Sequence, residues 1–442
     1  LGRPVKWVEN REECLLIGAR EQQHKVQMAF DSDGVMVGLR DHVLANIGAP
    51  SACPGWGMVF LTGLTMPGPY KVENIDVHMN AVTTNKPSWN AARGYGKEST
   101  AIALELAMDN AARQLGISPI DLRLKNFIAK DAFPYNSPTG LVYDSGDYSG
   151  VLLKALETIG YQDWKDRQAA ARLEGRYLGI GMAFELTPEG GTIPGTMVAG
   201  YDSSTVRVGP DGTVRVLTGI TSPGTHNATA MAQIAADELG VDIAKIEVLQ
   251  GDTNSSPYGF GNYSGRSTIV GGGSVALAAQ DVRAKINAVA AALLEVEPDT
   301  LNLVKGVFSS SAKRDATLTF AEGCYASYTR AYDVALCIDP PLEATRTFKP
   351  PGISHLPDKN GRINPYPSYS NAVYVVVCEV DADTGKIDLL SLAAAHDCGK
   401  VINPILVEGQ VCGAFAMGLG GALTEEIQYD ANGIQLTKSF KD

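Results

Sequence analysis

The 442-residue sequence predicts an α+β fold, and its length allows two or three domains with a substantial core. Short runs with apolar residues at every second position indicate strands, and longer runs with apolar residues at helical spacing indicate helices. Loops rich in glycine separate many of these segments. Residues 175–181 are typical of the entry into a new domain. We therefore expect one domain over residues 1–174 and a second over residues 175–442.

Hairpin signals support the predicted strands. Residues 25–45 alternate apolar and polar positions around an Asp-Gly dipeptide at 33–34, which is typical of a two-residue hairpin turn. Residues 206–216 and 372–395 show the same arrangement around other turns that contain glycine. Residues 50–71 are rich in glycine and proline, so we expect a loop there.

Helix boundaries are also visible in the sequence. Ser99 or Thr100 is expected to cap a helix that Gly116 ends, because hydroxyl side chains favour helix starts and glycine favours helix ends. Ser118 followed by Pro119 then predicts the start of the next helix. The least periodic part of the chain is 300–370.

Three loops of glycine, serine and threonine or asparagine lead into predicted helices: residues 224–227, 251–280 and 396–404. Their backbone N–H groups and the helix dipoles suit a phosphorylated cofactor. Composition alone is equally compatible with ordinary surface loops. Neither a Walker A pattern nor a G-x-G-x-x-G fingerprint is present. A predicted helix over 406–423 contains five glycines, which favour the close approach of a ligand or another backbone.

Residues 93–96 form a further loop before a helix start, where a cation and backbone donors can converge on an anion. From this pattern alone, a solvated loop arginine at Arg93 is the simpler interpretation.

Charge and cysteine usage exclude several classes of protein. The net charge is −12 and no lysine- or arginine-rich run occurs, so we expect no nucleic-acid partner. We find no apolar run that we judge long enough to span a bilayer. The seven cysteines are scattered without a C-x-x-C pair, which argues against a zinc ribbon or an iron–sulfur cluster held by this chain. Free cysteines indicate a reducing compartment, so we expect a cytoplasmic protein.

Several sequence blocks, in consistent order along the chain, resemble the molybdenum-binding large subunit of the xanthine dehydrogenase, aldehyde oxidase and carbon monoxide dehydrogenase family, the molybdenum hydroxylases. The blocks are LGRPVKWVENREE, ARGYG with LGISPIDLRLKNFI, YDSGDYSGVLLKALE, AQIAADELGVDIAKIEVLQGDT, PYGFGNYSGRSTIVGGGSV, CEVDADTGKI and DCGKVINPILVEGQVCGAFAMGLGGALTEEIQYDANG. Each block alone is weak, whereas the combination is specific. Only residues 300–370 match loosely.

The resemblance implies two elongated mixed α/β molybdopterin-binding domains with the cofactor at their interface. The cofactor would be molybdopterin with molybdenum, in bacterial members usually as the cytosine dinucleotide. Its dithiolene supplies the sulfur ligands of the metal, so the resemblance implies no protein metal ligand, in agreement with the absence of ligand spacing in the sequence.

The resemblance also implies roles for individual residues. Arg93 and Tyr95 would be catalytic, with Arg93 polarising the substrate and Tyr95 lying against a flat substrate. The residues implied to bind the cofactor are Gly94, Gly96, Gly224, Thr225, His226, Asn227, Tyr263, Ser264, Gly265, Arg266, Ser267, Thr268, Gly271, Gly272, Cys398, Asn403, Gln410 and Met417.

The sequence departs from the family pattern at three positions. Thr225 and Met417 stand where the family has glutamines, which removes two amides that could bind the pterin or the phosphates. Gly94 follows Arg93 where carbon monoxide dehydrogenases have a cysteine, and this disfavours that subgroup.

Two family motifs are absent from the sequence: a glycine-phenylalanine loop expected before Leu1, and a loop with the catalytic glutamate, the general base, expected beyond Asp442. Glu408, Glu425 and Glu426 are interpreted as capping or surface charges. We therefore expect the chain to be a piece of a larger or split subunit.

The predicted function is oxidative hydroxylation of an aldehyde or N-heteroaromatic substrate, with water as the oxygen source. The expected partners are an iron–sulfur small subunit, an FAD-binding subunit, a chain that carries the missing segments, and a small-molecule substrate. One alternative is a non-catalytic structural or binding paralogue without molybdenum, which Thr225 and Met417 favour. A phosphate-binding protein unrelated to molybdenum would rest on the glycine loops alone.

Overall fold

The computed structural model describes residues 2–16, 18, 20–49, 55–191, 200–313, 315–330, 332, 338–354 and 356–442. The strands are β1 (Gln22–Phe30), β2 (Met36–Gly48), β3 (Ile75–Thr83), β4 (Tyr135–Asn136), β5 (Val142–Tyr143), β6 (Tyr177–Glu189), β7 (Ser203–Val208), β8 (Val214–Thr218), β9 (Ile246–Gln250), β10 (Leu301–Val304), β11 (Val307–Ser310), β12 (Thr317–Thr319), β13 (Glu343–Thr347), β14 (Ser368–Val380) and β15 (Ile387–Asp397). The α-helices are α1 (Trp56–Leu64), α2 (Lys97–Leu115), α3 (Pro119–Asn126), α4 (Tyr148–Ile159), α5 (Tyr161–Leu173), α6 (Asn227–Leu239), α7 (Gly273–Leu294), α8 (Phe320–Thr329) and α9 (Pro404–Leu423). The α+β prediction is confirmed.

The first sheet has the order β1-β2-β3 and contains the predicted hairpin between β1 and β2. The prediction of a two-residue turn is wrong, because residues 31–35 connect the two strands. β2 and β3 are parallel, and α1 lies in the connection between them. The prediction of a loop over residues 50–71 is wrong, because Trp56–Leu64 is a helix. Most residues of α1 are buried, so the helix carries apolar or small side chains on nearly all of its faces. Such a helix lacks the one-sided pattern by which a sequence reveals amphipathic helices.

The start of α2 also differs from the prediction. α2 begins at Lys97, directly after Gly96, and not at a Ser99 or Thr100 cap. Thr100 is buried, and its hydroxyl donates to the Thr62 backbone oxygen at 2.8 Å, so α1 uses the group that was expected to cap the helix. The predicted helix end at Gly116 is confirmed.

The central sheet has the order β15-β14-β6. β6 and β14 pair antiparallel from Tyr177 opposite Val380 to Glu189 opposite Ser368. One face of this sheet belongs to the first hydrophobic core, which also contains residues of α2, α4 and the first sheet. This core therefore draws on residues from both sides of the expected boundary at 174/175. The division into two domains at that point stays a prediction.

A second core lies between the sheet β13-β7-β8-β9 and the helices α6, α7 and α8. β7 and β8 form the predicted hairpin, and α6 ends at Leu239, directly before Gly240. The weakly periodic residues 300–370 contain β10, β11, β12, α8 and β13. Strands of three to five residues are too short to show a clear alternation.

Helix α9 is confirmed, but none of its residues is buried against the described chain. An added Cβ at Gly409, Gly413, Gly418 or Gly421 would meet no described atom within 4 Å. The close backbone approach that these glycines favour is therefore not made by the described residues. By length and composition, α9 is also the one described helix that could cross a membrane, with a mean hydropathy of 1.3. The expectation that no run is long enough is wrong in that respect, although a single such helix is weak support for a span.

A buried ion network joins α2, α3 and β6. Arg123 is 1% exposed, and its guanidinium contacts Glu105 at 2.9 Å and Asp109 at 2.7 Å. Glu105 also accepts hydrogen bonds from the Tyr70 hydroxyl at 2.5 Å and from the Phe184 backbone at 3.0 Å. Every charge in the network therefore has a partner, which a buried charge requires.

We predict that Arg123→Met lowers the free energy of unfolding by about 3–5 kcal/mol, because it leaves Glu105 buried without its cation. Chemical denaturation measures the change. Arg215→Met is the matched control, since Arg215 and Glu247 form an exposed pair at 2.9 Å whose loss should cost below about 1 kcal/mol. Equal effects of the two substitutions would contradict the prediction.

Candidate functional site

The turn that contains Arg93 (residues 92–96, the Arg93 turn) has an unusual backbone. Gly94, Tyr95 and Gly96 have φ values of 99°, 54° and 100°, all in the left-handed region. A Cβ on Gly96 would lie 2.0 Å from the Met58 backbone oxygen, so α1 approaches too closely for any larger residue. Glycine adopts this region without steric cost, whereas for Tyr95 it costs free energy. Such a conformation persists where the surroundings enforce it, as is common at functional sites.

Side chains from two directions hold the Arg93 turn. The Thr62 hydroxyl donates to the Gly96 oxygen at 2.9 Å, and the Gly96 N–H donates to Glu98 Oε2 at 2.9 Å. Arg20 donates to the Arg93 backbone oxygen at 2.7 Å and to Glu98 Oε1 at 3.2 Å. Burial raises the pKa of Glu98, whereas hydrogen bonds from backbone N–H groups and the charge of Arg20 oppose that rise. The turn is thus positioned independently of any ligand.

The side chain of Arg93 reaches a distant part of the chain. Arg93 is exposed, and its Nη2 donates to the Gln410 backbone oxygen on α9 at 3.2 Å. Two residues of the predicted site, 317 positions apart, are therefore in contact. Most of the guanidinium remains available to solvent or a ligand.

The loop at 224–227 (the 224 loop) and the loop at 262–268 (the 262 loop) form one hydrogen-bonded unit. Asn262 Nδ2 donates to Thr225 Oγ1 at 3.3 Å, and its oxygen accepts a short hydrogen bond from the Ser267 hydroxyl. Asn227 Nδ2 donates to Ser267 Oγ at 3.2 Å. The structure therefore brings together two loops that the sequence placed in one site. Thr225, where the family has glutamine, takes part in this contact.

Arg266 does not present a free charge to the loop. It is 2% exposed, and its Nη2 lies 2.6 Å from Asp202 Oδ2 and 3.3 Å from the Gly200 oxygen. Its guanidinium also lies 5.3 Å from the centre of the Tyr263 ring. Because Asp202 neutralises it, Arg266 fixes the shape of the 262 loop rather than adding net positive charge.

Three helical segments begin at these loops, and no side chain forms a hydrogen-bonded cap at any of their starts. They start after Gly96, His226 and Arg266, and the third opens with a π-helical turn (Ser267–Gly272) that continues into α7. By contrast, Ser118 and Asp147 cap α3 and α4. Uncapped N–H groups at helix starts suit an anionic group. This arrangement fits the diphosphate of the implied cofactor.

The segment at 396–404 (the 396 segment) is attached to α6. Asn403 Nδ2 donates to Gln233 Oε1 at 2.8 Å, and Gln233 Nε2 donates to the Ile402 oxygen at 3.2 Å. Asn403 also caps α9 through the Leu406 N–H at 3.1 Å. The third predicted loop therefore lies beside the helix that starts at the 224 loop.

Other predicted site residues have clear structural surroundings. Cys398 is an exposed free thiol, and Met417 on α9 is 36% exposed. Gly271 and Gly272 are buried in the π-helical turn, where an added Cβ would lie 2.5 Å from Ile220 and 2.8 Å from Ile234. These two glycines allow helix packing, and their cofactor role stays a prediction.

Residues that the sequence interpretation missed hold the predicted ones in place. Asn262 and Gln233 bridge the loops, and Asp202 neutralises Arg266. Lys97 is 8% exposed at the start of α2, and Glu189 lies at the end of β6 against Gly265. Asn262 stands within a predicted loop and could have been found there. No sequence signal marks Gln233, Asp202 or Glu189.

Comparison with protein families gives two matches to the description "Molybdopterin cofactor-binding domain". One covers residues 1–127 and the other covers residues 154–442. Together they contain every residue of the predicted site.

Individual relatives are similar over the whole chain. The carbon monoxide dehydrogenase large chain of Afipia carboxidovorans is 34% identical over 460 residues, covering 100% of this chain and 54% of the relative. The nicotine 6-hydroxylase large subunit of Paenarthrobacter nicotinovorans is 31% identical over 452 residues, covering 100% of this chain and 53% of the relative. The chain thus spans about half the length of the curated relatives that it matches.

A solved structure confirms the fold. Quinoline 2-oxidoreductase from Pseudomonas putida 86 superposes with a TM-score of 0.90 at 32% identity, over 100% of this chain and 55% of that one.

We predict that Gly96→Ala lowers the free energy of unfolding by about 3 kcal/mol or more, through left-handed strain and the clash with Met58. Gly116→Ala is the control, because Gly116 has φ 67° but no atom within 4 Å of an added Cβ. It should cost only about 1–2 kcal/mol. Denaturation of both variants measures the difference, and a Gly96→Ala protein as stable as Gly116→Ala would contradict the tight approach.

Proposed function

The chain belongs to the family of molybdopterin cofactor-binding domains, and we propose that it forms part of the molybdenum-binding subunit of a hydroxylase. The observation that carries this proposal is the joining of the 224 and 262 loops by Asn262, beside uncapped helix starts. Donors from backbone and short polar side chains converge there, which suits a pterin and a diphosphate.

In the proposed complex, the 224 loop, the 262 loop and the 396 segment hold the cofactor, as its cytosine dinucleotide. Short polar side chains come from Thr225, Asn227, Ser264 and Ser267. No described atom lies within 4 Å of a Cβ added to Gly224, so the cofactor can approach the backbone closely at this position. When bound, the molybdenum cofactor supplies the two-electron redox chemistry of hydroxylation with water. Arg266 holds the loop through its pair with Asp202.

The proposed substrate side of the site is the Arg93 turn. Arg93 is exposed at the turn, where its charge can stabilise negative charge that develops on the substrate. The half-buried Tyr95 lies in the same turn and offers an aromatic face to a flat substrate. We favour an aldehyde or an N-heteroaromatic compound, since the similar proteins include enzymes named for nicotine and quinoline. Gly94 after Arg93 disfavours carbon monoxide as substrate.

Electrons would leave through an iron–sulfur small subunit and an FAD-binding subunit. The described residues contain no group of three or more His, Cys, Asp or Glu side chains placed to hold a metal ion. We propose that the complex is cytoplasmic. A panel of aldehydes and N-heteroaromatics with an artificial electron acceptor would identify the substrate class.

We predict that the purified protein, in its native complex, contains molybdenum and releases a fluorescent pterin on denaturation. Metal analysis and fluorescence measure the two components. The competing function, a non-catalytic paralogue, has the support of Thr225 and Met417 in place of amides. Absence of both molybdenum and pterin would favour that alternative and exclude the hydroxylase.

We predict that Arg93→Ala lowers turnover by about 100-fold while molybdenum content stays unchanged, because the guanidinium acts on the substrate and not on cofactor retention. Steady-state kinetics and metal analysis of the same preparation separate the two effects. Arg113→Ala, on the exposed side of α2, is the control for loss of an arginine. Unchanged turnover in the Arg93 variant would remove Arg93 from the site.

A further inference from the structure

The central sheet has a polar face opposite its core face. Because side chains alternate along a strand, Phe184 and Val373 point into the core, while Glu185, Glu189 and Tyr374 occupy the other face. This polar face runs towards the Arg93 turn at one end of β6. Glu185 accepts a hydrogen bond from the Thr187 hydroxyl at 2.8 Å. Glu189 follows Thr187 on the same face and is the last residue of β6.

Glu189 borders the 262 loop directly. A Cβ added to Gly265 would lie 2.6 Å from Glu189 Oε2, so the carboxyl group packs against the loop backbone. The next residue along, Gly190, donates a short backbone hydrogen bond to the Ser264 oxygen. Ser370 on β14 also holds the carboxyl group, because its Oγ donates to Glu189 Oε1 at 3.4 Å.

Lys97 approaches the same strand end from the other side. It is the first residue of α2, directly after the Arg93 turn, and it is 8% exposed. Its Nζ donates to the Pro188 backbone oxygen at 3.3 Å, next to Glu189 in the chain. A lysine this buried requires a compensating negative charge nearby. Glu189 supplies a negative charge near it, since the charge of Lys97 lowers the pKa of the Glu189 carboxyl group.

We propose that Lys97 and Glu189 are a positioning pair, which holds the Arg93 turn against the 262 loop through the end of β6. The inference rests on the proposed function, since it assigns the pair the task of setting the substrate side of the site relative to the cofactor side. Ionised Glu189 attracts Lys97 across the strand end. A neutral Glu189 loses that attraction, and the turn is then held only by its own hydrogen bonds.

The charges around Glu189 set the pH at which the pair forms. Burial raises the pKa of Glu189, the charge of Lys97 lowers it, and the neighbouring Glu185 raises it. The hydrogen bond from Ser370 and the charge of Arg93 also lower it. Burial raises the pKa of Tyr366, and the charge of Glu189 raises it further, so this phenol stays neutral. Glu189 therefore binds a proton at a higher pH than an exposed glutamate does.

The first test is the pH profile of kcat for the holoenzyme. The wild-type profile should fall on its acid side as Glu189 becomes protonated. Glu185→Gln should move this acid limb to lower pH by about one pH unit. Lys97→Met should remove the limb and lower kcat at neutral pH, because no cation is left for ionised Glu189 to attract. Glu189→Gln should remove the limb and lower kcat by about tenfold at neutral pH, with molybdenum content unchanged.

Glu157→Gln is the matched control, because Glu157 is an exposed carboxylate on α4 paired with Lys154. It should leave the acid limb in place. An acid limb that persists in Lys97→Met would overturn the proposal. An acid limb that persists unchanged in Glu189→Gln would also overturn it.

The second test uses stability and needs no cofactor. Because folding raises the pKa of Glu189, the folded chain binds more protons than the unfolded chain, and Glu189 makes stability fall as pH rises through the raised pKa. The free energy of unfolding of wild type minus that of Glu189→Gln should therefore decrease as pH rises through the raised pKa of Glu189. Lys97→Met should extend the decrease to higher pH. A difference that does not change with pH would contradict the buried pair.

These measurements separate two failures. Absence of molybdenum from the wild-type protein would remove the proposed function but leave the stability series intact. A flat stability difference in a protein that contains molybdenum would remove the pair while the proposed function stands.

Discussion

The pairing of β6 with β14 is the constraint on which the rest of the structure depends. It joins residues 177–189 to residues 368–380 over their full lengths, so one register error would exchange the core and polar faces of β6. Phe184 would then leave the first core and Glu185 would enter it. The same pairing brings the end of β6 to Lys97, beside the Arg93 turn, and to Gly265 in the 262 loop. The sheet thereby connects the two sides of the proposed site.

The proposed site is built mainly from backbone held in special conformations. Three successive left-handed residues form the Arg93 turn, and Thr62 and Glu98 hold it there. Asn262 holds the 224 loop and the 262 loop together in the same way, since its amide contacts Thr225 and Ser267. Pre-positioned backbone donors need little rearrangement when an anionic cofactor binds, so affinity is not lost to ordering the loops. Among the charged side chains of this region, Arg93 can then act on the substrate, and Lys97 and Glu189 can act on the position of the turn.

Local signals explain which parts of the fold could be predicted. The hairpin around residues 33–34, the cap at Ser118 and the helix end at Gly116 depend on residues within a few positions, and all three are confirmed. Helix α1 was missed because it is buried on most sides and shows no amphipathic pattern. Thr100 was misread as a helix start because its hydroxyl bonds to a residue of α1, 38 positions away.

By itself, the sequence determined the order of the family blocks, the loops of the proposed site, and the glycines that a left-handed turn requires, because each is a local property of the chain. Only the tertiary structure decided how these parts act on each other. It showed that Asp202 neutralises Arg266, that Asn262 joins two loops, and that Lys97 and Glu189 lie at the same end of β6. Such contacts follow from strand register and helix packing, which bring residues far apart in sequence to within a few ångströms of each other.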